Sequence, residues 1–302
     1  MIPRARTAAP TTVTTPRSML VVRRFAEAGS AILIAALLSG CTVGIPGHGD
    51  AKRDVAESAH AVDVTLPPAG GKPDYQLGGA YPPGEAVEIV GRDRTAEPAP
   101  DRYSICYVNG FQTQPAERDL WDDDLLVTVD GEPLIDPDWP DEVLIDSSTA
   151  DKRERILALV ALWIRGCAES GFDAVEFDNL DSFTRSEGML DIDGNLALAA
   201  AYVDIAHDAG LAAGQKNAAD FAHQLRDEAG FDFAVVEECA AYLECSRYTE
   251  VYGEAVVDIE YTDNLPRTWD EMCADPETPL SVVLRDRGLT VEGYPEHVAT
   301  HC

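Results

Sequence analysis

Short apolar runs alternate with longer amphipathic stretches along most of this chain, and no other feature limits its possible folds more. Two stretches, 150–169 and 195–209, carry apolar residues at helical spacing, and Gly171 or Gly210 follows before the next apolar run. Helix, glycine stop and strand in regular succession indicate βα units around a parallel sheet. The strand candidates are 75–77, 87–90, 104–108, 143–146, 174–178, 211–215, 233–236, 256–260 and 281–284.

This succession predicts an α/β fold, a (β/α)8 TIM-barrel-like single catalytic domain over residues 74–302. Without its first forty residues the chain keeps 262 of its 302 residues, close to the roughly 250 that one barrel uses. The strand candidates number one more than eight, so we expect the first or the last to be an adjunct outside the ring.

The first forty residues differ from the rest and have the layout of an export signal. A positive patch at Arg23 and Arg24 precedes the apolar run 31–38, and small residues lead to Cys41. The run is about half of the roughly twenty residues that cross a bilayer, so we expect a cleaved signal peptide over 1–40 and no membrane helix.

We interpret Cys41 as the lipidated first residue of a bacterial lipoprotein; an ordinary signal peptide with an incidental cysteine is the alternative. Residues 41–73 are rich in Gly, Pro, Ala and Asp and predict a flexible tether. We therefore expect the protein outside the cytoplasm, anchored by lipid or secreted, and in contact with the membrane only through Cys41.

The chain is strongly acidic, with a formal net charge of −31. Nucleic acid would be repelled by such a surface. A solvated acidic surface that favours solubility explains most of these charges, and attraction of a cationic ligand is the more specific alternative. We expect a monomer that uses no cofactor.

Six cysteines remain besides Cys41, an even number in a chain that is expected to be exported. The CxxC spacing is absent, so a cysteine-based zinc site is not indicated. Six cysteines allow fifteen pairings. We favour a short local loop, a bridge that ties down the chain end, and the pair that then remains: Cys239–Cys245, Cys273–Cys302 and Cys106–Cys167.

Polar residues end the apolar runs, where the strands of a parallel barrel present their reactive groups. They are Asp146, Asp178, Lys216 with Asn217, Glu237, and Glu260 with Tyr261. One such residue alone is as well explained as a helix cap or a surface charge. Five polar strand ends on one rim instead predict a carboxylate site, and paired carboxylates with separated pKa values are what glycosidic bond cleavage requires.

The segment 171–181 concentrates the candidate site residues, with four acidic residues and Asn179. Period-two geometry places Glu176 and Asp178 on the same side of a strand, inside the barrel or at its mouth, with Asn179 and Asp181 on the loop above. A calcium loop is the competing interpretation, but the spacing lacks the central Gly and final Glu of an EF-hand. The turn at Asp191 is a better but still weak candidate for incidental cation binding, and a loop that leads into a helix is the favoured interpretation.

These motifs together resemble glycoside hydrolase family 114, the endo-α-1,4-polygalactosaminidase group, in the order of that family and over nearly the whole of residues 74–302. The similar segments are 75–77 (YQL), 105–107 (ICY), 143–146 (VLID), 173–181 (DAVEFDNLD), 214–217 (GQKN), 231–239 (FDFAVVEEC), 244–245 (EC) and 258–261 (DIEY).

The resemblance implies a barrel whose catalytic pair is Asp178, as nucleophile or charge stabiliser, and Glu237, as general acid/base. The chain departs from the family pattern at three positions next to these two acids, Phe177, Val236 and Glu238. Because Glu238 adjoins Glu237, either carboxylate could take the acid role, although strand alternation should aim only one of them inward.

The resemblance also implies a substrate, a polymer of α-1,4-linked galactosamine that is cationic where it is not acetylated. An acidic rim would attract its ammonium groups. We place Lys216 between the carboxylates as an ion-pairing partner, and Tyr107 and Tyr261 as stacking faces, with core packing as the alternative for both tyrosines. The further expected sugar contacts are Asp93, Asp146, Glu176, Asn179, Asp181, Asn217 and Glu260.

Two other functions remain open. A carbohydrate-binding surface lipoprotein could keep the barrel without turnover, although the presence of both Asp178 and Glu237 favours an enzyme. A metal-dependent deacetylase would need a histidine-rich site, and none of the six histidines falls at a predicted strand end.

Overall fold

A computed structural model describes residues 64–302, and every structural statement below refers to that part of the chain. Its strands are β1 (Pro73–Tyr75), β2 (Ile89–Asp93), β3 (Tyr103–Asn109), β4 (Thr128–Val129), β5 (Glu132–Pro133), β6 (Ala174–Asp178), β7 (Ala212–Lys216), β8 (Phe233–Glu237), β9 (Val256–Tyr261), β10 (Ser281–Arg285) and β11 (Ala299–His301).

The α-helices are α1 (Ala150–Ser170), α2 (Ile192–Asp208), α3 (Ala222–Gln224), α4 (Cys245–Tyr252) and α5 (Trp269–Cys273). Short 3₁₀ turns cover Pro115–Leu120, Asp123–Leu125, Ser182–Arg185 and Ala219–Phe221, and a π turn covers Leu225–Ala229. No helix within residues 64–302 has the length and apolarity needed to span a bilayer.

One sheet dominates the structure, with the strand order β1-β2-β3-β6-β7-β8-β9-β10-β11. The first eight strands of this order are parallel, and β11 pairs with β10 in the antiparallel direction. Helices connect the later strands, whereas the segments between β1, β2 and β3 contain none. The predicted TIM-barrel-like fold is confirmed.

Side chains complete the ring between β1 and β10. Arg285 is fully buried, and its guanidinium donates to Asp74 Oδ1 at 2.6 Å and to the carbonyl oxygen of Tyr75. Beside this contact, His301 of β11 lies 2.6 Å from the carbonyl oxygen of Pro73. A buried ion pair with its hydrogen bonds satisfied therefore joins the first barrel strand to the last.

Alternate residues of each barrel strand face opposite sides, as period-two geometry requires. One apolar cluster fills the barrel and includes Ala174, Ala212, Val235 and Ile259. A larger cluster lies between the barrel and its helices and contains the intervening residues, such as Val175. Strand positions 174, 176 and 178 therefore point inward, in agreement with the sequence prediction.

Helix α1 shows how the local sequence sets the repeat. Thr149 caps its first turn by accepting from the backbone N–H of Lys152 at 3.3 Å. Gly171 ends it at φ 95°, a left-handed conformation that glycine adopts without a Cβ clash. The disulfide Cys106–Cys167 then ties α1 to β3. The other two disulfides, Cys239–Cys245 and Cys273–Cys302, are also the pairs favoured from the sequence.

The strand candidate 143–146 does not belong to the barrel. Its residues form isolated antiparallel bridges with Gln112, Leu126 and Ile135 in the long connection between β3 and α1. We expected the first or the last of the nine strand candidates to lie outside the ring. That prediction is wrong, because the candidate outside the ring is the fourth, 143–146. An apolar run specifies burial, but it does not specify which partner covers it.

Of the residues assigned to the tether, 64–73 lie in the described structure and contact the barrel. The hydroxyl of Tyr103 donates to the carbonyl oxygen of Thr65 at 2.7 Å, Val64 packs against the inner cluster, and Pro73 begins β1. The signal peptide, Cys41 and the rest of the tether lie outside the described residues.

Candidate active site

Three neighbouring strands end in charged side chains that point into the mouth of the barrel, the end where the parallel strands terminate. They are Asp178 on β6, Lys216 on β7 and Glu237 on β8. Each has the same strand parity as an inner-cluster residue, namely Ala174, Ala212 and Val235. The structure thus brings together the acids that sequence analysis placed on separate strands.

Lys216 lies between the two acids. Its Nζ is 2.7 Å from Glu237 Oε2 and 3.7 Å from Asp178 Oδ2. By addition of these two distances, the two oxygens are at most about 6.4 Å apart. Acid pairs of glycosidases are separated by about 5–5.5 Å when they retain configuration and by about 6.5–9.5 Å when they invert it. The pair is therefore close enough to flank one glycosidic bond.

The charges at the mouth stabilise one another. Burial lowers the pKa of Lys216, but the charges of Asp178 and Glu237 outweigh that effect and leave its pKa above the ordinary value. Burial raises the pKa of Glu237, yet the charge of Lys216 and the hydrogen bonds to Glu237 more than offset it and lower its pKa. Lys216 is charged and Glu237 is ionised in the free protein.

Two tyrosines donate hydrogen bonds to the acids and do not offer open stacking faces. Tyr107 Oη donates to Asp178 Oδ2 at 2.7 Å, and Tyr261 Oη donates to Glu237 Oε1. Both rings are buried, and the guanidinium of Arg287 lies 4.1 Å from the ring centre of Tyr261. The covered faces favour core packing over the predicted stacking role.

Two asparagines that follow the strands orient the acids. Asn179 donates its backbone N–H to Asp178 Oδ1 at 2.8 Å. Asn217 donates its side-chain amide to Glu237 Oε2 at 3.3 Å and accepts from the backbone N–H of Glu237 at 2.8 Å. Both have positive φ, 63° and 49°, which asparagine tolerates better than most residues and which is frequent at functional sites.

Glu176 forms the floor of the site and not a sugar contact. It is fully buried, and neither carboxyl oxygen has a hydrogen-bond partner within the described chain. Burial raises its pKa to about 8, so it is mostly protonated at neutral pH. Gly91 makes room for the neighbouring Tyr75 ring, since a Cβ at position 91 would lie 2.5 Å from that ring. Substrate cannot reach Glu176 without displacing this packing.

Of the adjacent residues Glu237 and Glu238, only Glu237 points toward Lys216 and Asp178. Glu238 turns away at φ 59° and forms an ion pair with Arg287, 2.7 Å from its Nη2 to Oε1. Asn264 donates to the same Glu238 oxygen at 2.9 Å.

An acidic cavity of about 480 Å³ opens beside Glu237. Its size falls within the range of ordinary ligand pockets. Asp181 lies in its wall, as predicted, but is paired with Arg185 at 2.7 Å. The lining residues are Asp181, Thr184, Asn217, Ala218, Ala219, Asp220, Phe221, Glu237, Glu238, Tyr242, Glu244 and Tyr248.

Glu260 and Asp146 do not join the site. Glu260 lies on the outer face of β9, where it accepts from the backbone N–H of Ala240 at 2.7 Å. Strand parity explains the error, since Tyr261 and not Glu260 points inward. Asp146 pairs with Lys152 at 2.5 Å beside the start of α1, because the run that precedes it is not a barrel strand.

Asp93 ends β2 with inward parity but is engaged by its own loop. One carboxyl oxygen accepts from the backbone N–H of Thr95 at 2.9 Å, and the other accepts from the Gln114 side chain at 3.0 Å. Its position on the rim agrees with the prediction, and its contacts in this structure are to the protein.

Sequence analysis missed a polar group on the other side of Asp178. Asn109 ends β3 and bridges Asn179 to Glu142, with hydrogen bonds of 3.0 and 3.1 Å. Asn109 was detectable, because it lies two positions beyond Tyr107 on the same strand face. Glu142 was not, since it lies in a polar loop and ends no strand.

The sequence from 53 to 302 matches the profile of glycoside-hydrolase family GH114. No curated protein sequence matches the chain significantly. Among solved structures, Aspergillus fumigatus Ega3 in complex with galactosamine aligns with a TM-score of 0.62 and 21% identity, covering 80% of this chain and 100% of that one. The glycoside hydrolase domain of Pseudomonas aeruginosa PelA aligns with a TM-score of 0.51 and 15% identity, covering 74% and 97%. At these identities the two structures support the fold.

Proposed function

We propose that this chain, which belongs to glycoside hydrolase family GH114 and is therefore a glycoside hydrolase, cleaves α-1,4 bonds in a galactosamine-containing polysaccharide with Asp178 and Glu237. The placement of Lys216 Nζ within 2.7 and 3.7 Å of the two acids carries this proposal. The acidic cavity suits a cationic amino sugar, and Ega3 was crystallised with galactosamine.

In the proposed reaction Asp178 attacks the anomeric carbon while Glu237 protonates the departing glycosidic oxygen. Water, deprotonated by Glu237, then cleaves the glycosyl ester and regenerates Asp178. We propose retention, because the upper limit of about 6.4 Å between Glu237 Oε2 and Asp178 Oδ2 includes the separation of about 5–5.5 Å of retaining pairs. Proton NMR of the first-formed anomer tests this point, and an inverted product would refute it.

The cavity supports the division of roles. It is lined by Glu237 and not by Asp178, so the leaving-group sugars have space on the Glu237 side. Glu237 must gain a proton before it can act as an acid, whereas its pKa is lowered in the free protein. We propose that Lys216 transfers its ion pair from Glu237 to Asp178 when substrate enters, a displacement on the order of 1 Å.

Asp178→Asn and Glu237→Gln should each lower kcat on a deacetylated α-1,4-galactosamine polymer by at least about a thousandfold. Glu254→Gln is the matched control, because Glu254 is exposed and precedes β9 at the opposite end of the barrel. Glu238→Gln tests the neighbouring acid, which pairs with Arg287. Reducing-end release measures activity, and circular dichroism verifies folding. Full activity in Glu237→Gln, with loss in Glu238→Gln, would transfer the acid role to Glu238, and full activity in Asp178→Asn would reject Asp178 as the nucleophile. A folded wild-type protein inactive on every galactosamine polymer would reject the proposed substrate.

A further inference from the structure

Glu142 is a carboxylate at the mouth of the barrel that the proposed reaction does not use. It is half-buried, and its Oε2 accepts from Asn109 Nδ2 at 3.1 Å. Asn109 in turn accepts from Asn179 Nδ2 at 3.0 Å, and Asn179 donates its backbone N–H to Asp178 at 2.8 Å. Three hydrogen bonds through Asn109 and Asn179 therefore link Glu142 to Asp178 from the β3 side of β6, whereas Lys216 lies on the β7 side.

The acids around Glu142 already have counter-charges. Arg185 pairs with Asp136 at 2.6 Å and with Asp181 at 2.7 Å, and Asp178 faces Lys216. Glu142 forms no ion pair within residues 64–302, and its Oε1 accepts no hydrogen bond there. A cation that enters the mouth would be the counter-ion of Glu142.

Burial raises the pKa of Glu142 to about 7, with the charges of Asp178 and Asp136 acting in the same direction and Asn109 and Arg185 against it. Near neutral pH this carboxyl therefore exchanges its proton readily. An ammonium group placed beside it would favour the ionised form.

We propose that Glu142 binds the C2 ammonium group of the galactosamine unit whose anomeric carbon meets Asp178, and so selects free amino sugars over N-acetylated ones. This inference rests on the proposed function. C2 is bonded to the anomeric carbon, so its substituent lies within a few ångströms of the nucleophile. A charge-assisted hydrogen bond to Glu142 would stabilise an ammonium group at C2, whereas an acetamide there is neutral and bulkier.

Glu142→Gln keeps an oxygen that can accept from Asn109 but removes the charge. We expect kcat/KM on deacetylated α-1,4-galactosamine polymer at pH 7 to fall roughly tenfold to a hundredfold, and kcat/KM on the N-acetylated polymer to change less than about threefold. Glu254→Gln is the matched control, because Glu254 is exposed and precedes β9 at the opposite end of the barrel. The control removes one negative charge without approaching the mouth.

Binding gives a second measurement that needs no turnover. Calorimetry with deacetylated and N-acetylated oligomers, on Glu237→Gln protein with and without Glu142→Gln, should show weakened binding of the deacetylated oligomer only. KM for the deacetylated polymer should also fall as pH rises toward 7 in the wild type, and this dependence should be lost in Glu142→Gln.

Equal losses on both polymers, or no loss on either, would overturn the role of Glu142. Those results leave the proposed function intact if Asp178→Asn is still inactive. A wild-type protein that binds and cleaves neither polymer would overturn the proposed function and, with it, this inference.

Discussion

Two groups of buried carboxylates lie near the carboxyl ends of the strands in opposite surroundings. The inner group, Glu176, Asp178 and Glu237, surrounds Lys216 inside the barrel. The outer group, Asp258 and Glu260, lies on the far face of β9 near the disulfide Cys239–Cys245 and has no ion pair within residues 64–302.

Glu176 and Asp178 are two residues apart in sequence, and so are Asp258 and Glu260. Only the inner group has an adjacent cation, Lys216. Both outer acids have raised pKa values, chiefly from burial, and the pKa of Glu260 reaches about 7. Within the inner group Lys216 keeps Glu237 ionised, while Glu176 below it stays protonated. A buried carboxylate here thus becomes chemically useful through an adjacent counter-charge at the mouth.

The largest effect that tests this contrast is expected from removal of Lys216. Lys216→Met would leave Asp178 and Glu237 without their shared cation, so we expect kcat to fall at least about a hundredfold and the free energy of unfolding to drop by about 3 kcal/mol. Reducing-end assays and urea unfolding measure the two quantities. Lys152→Met, which breaks the partly exposed pair with Asp146, should cost less than about 1 kcal/mol. Equal effects of the two substitutions would remove the distinction between inner and surface cations.

The second effect is the pH dependence of stability. Glu176 and Glu260 hold protons in the folded state that the unfolded chain releases above its ordinary pKa, near 4.5. The free energy of unfolding should therefore fall as pH rises from about 5 to 8, by on the order of 3 kcal/mol. Glu237, with a lowered pKa, acts oppositely and loses its contribution as pH falls below about 4.5.

Urea unfolding at several pH values checks this dependence, and Glu176→Gln should reduce its slope because glutamine mimics the protonated acid. Stability that rises between pH 5 and 8 would contradict the assignment of protons to these groups.

The smallest effect concerns the outer group. Glu260→Gln keeps an acceptor for the backbone N–H of Ala240 and should change the free energy of unfolding by less than about 1 kcal/mol, whereas Glu260→Leu should cost about 1–3 kcal/mol. Activity of Glu260→Gln should equal that of the wild type. A large rise in KM in Glu260→Gln would instead support Glu260 as a sugar contact, as predicted from the sequence.

The sequence predicted the barrel and the inward side chains well, because both depend on local periodicity. Eight of the nine strand candidates lie in the barrel, and Asp178, Lys216 and Glu237 share the inward parity. Strand alternation was sufficient to choose between Glu237 and Glu238, since adjacent residues point to opposite faces.

The errors arose where partners are distant in sequence. The run 143–146 has the composition of a barrel strand, but loop segments cover it. Glu260 ends an apolar run like the other acids, and only the parity of Tyr261 reveals its direction. Glu142 carries no local signal, because its position depends on Asn109, 33 residues earlier.

The buried ion pair between Arg285 and Asp74 also affects folding kinetics, since it joins residues 211 positions apart. Such contacts form only after a large loss of chain entropy and slow the search for the native state. The ring cannot close until the chain has been synthesised as far as Arg285. Incomplete chains would expose the edge of β1, a surface that invites aggregation.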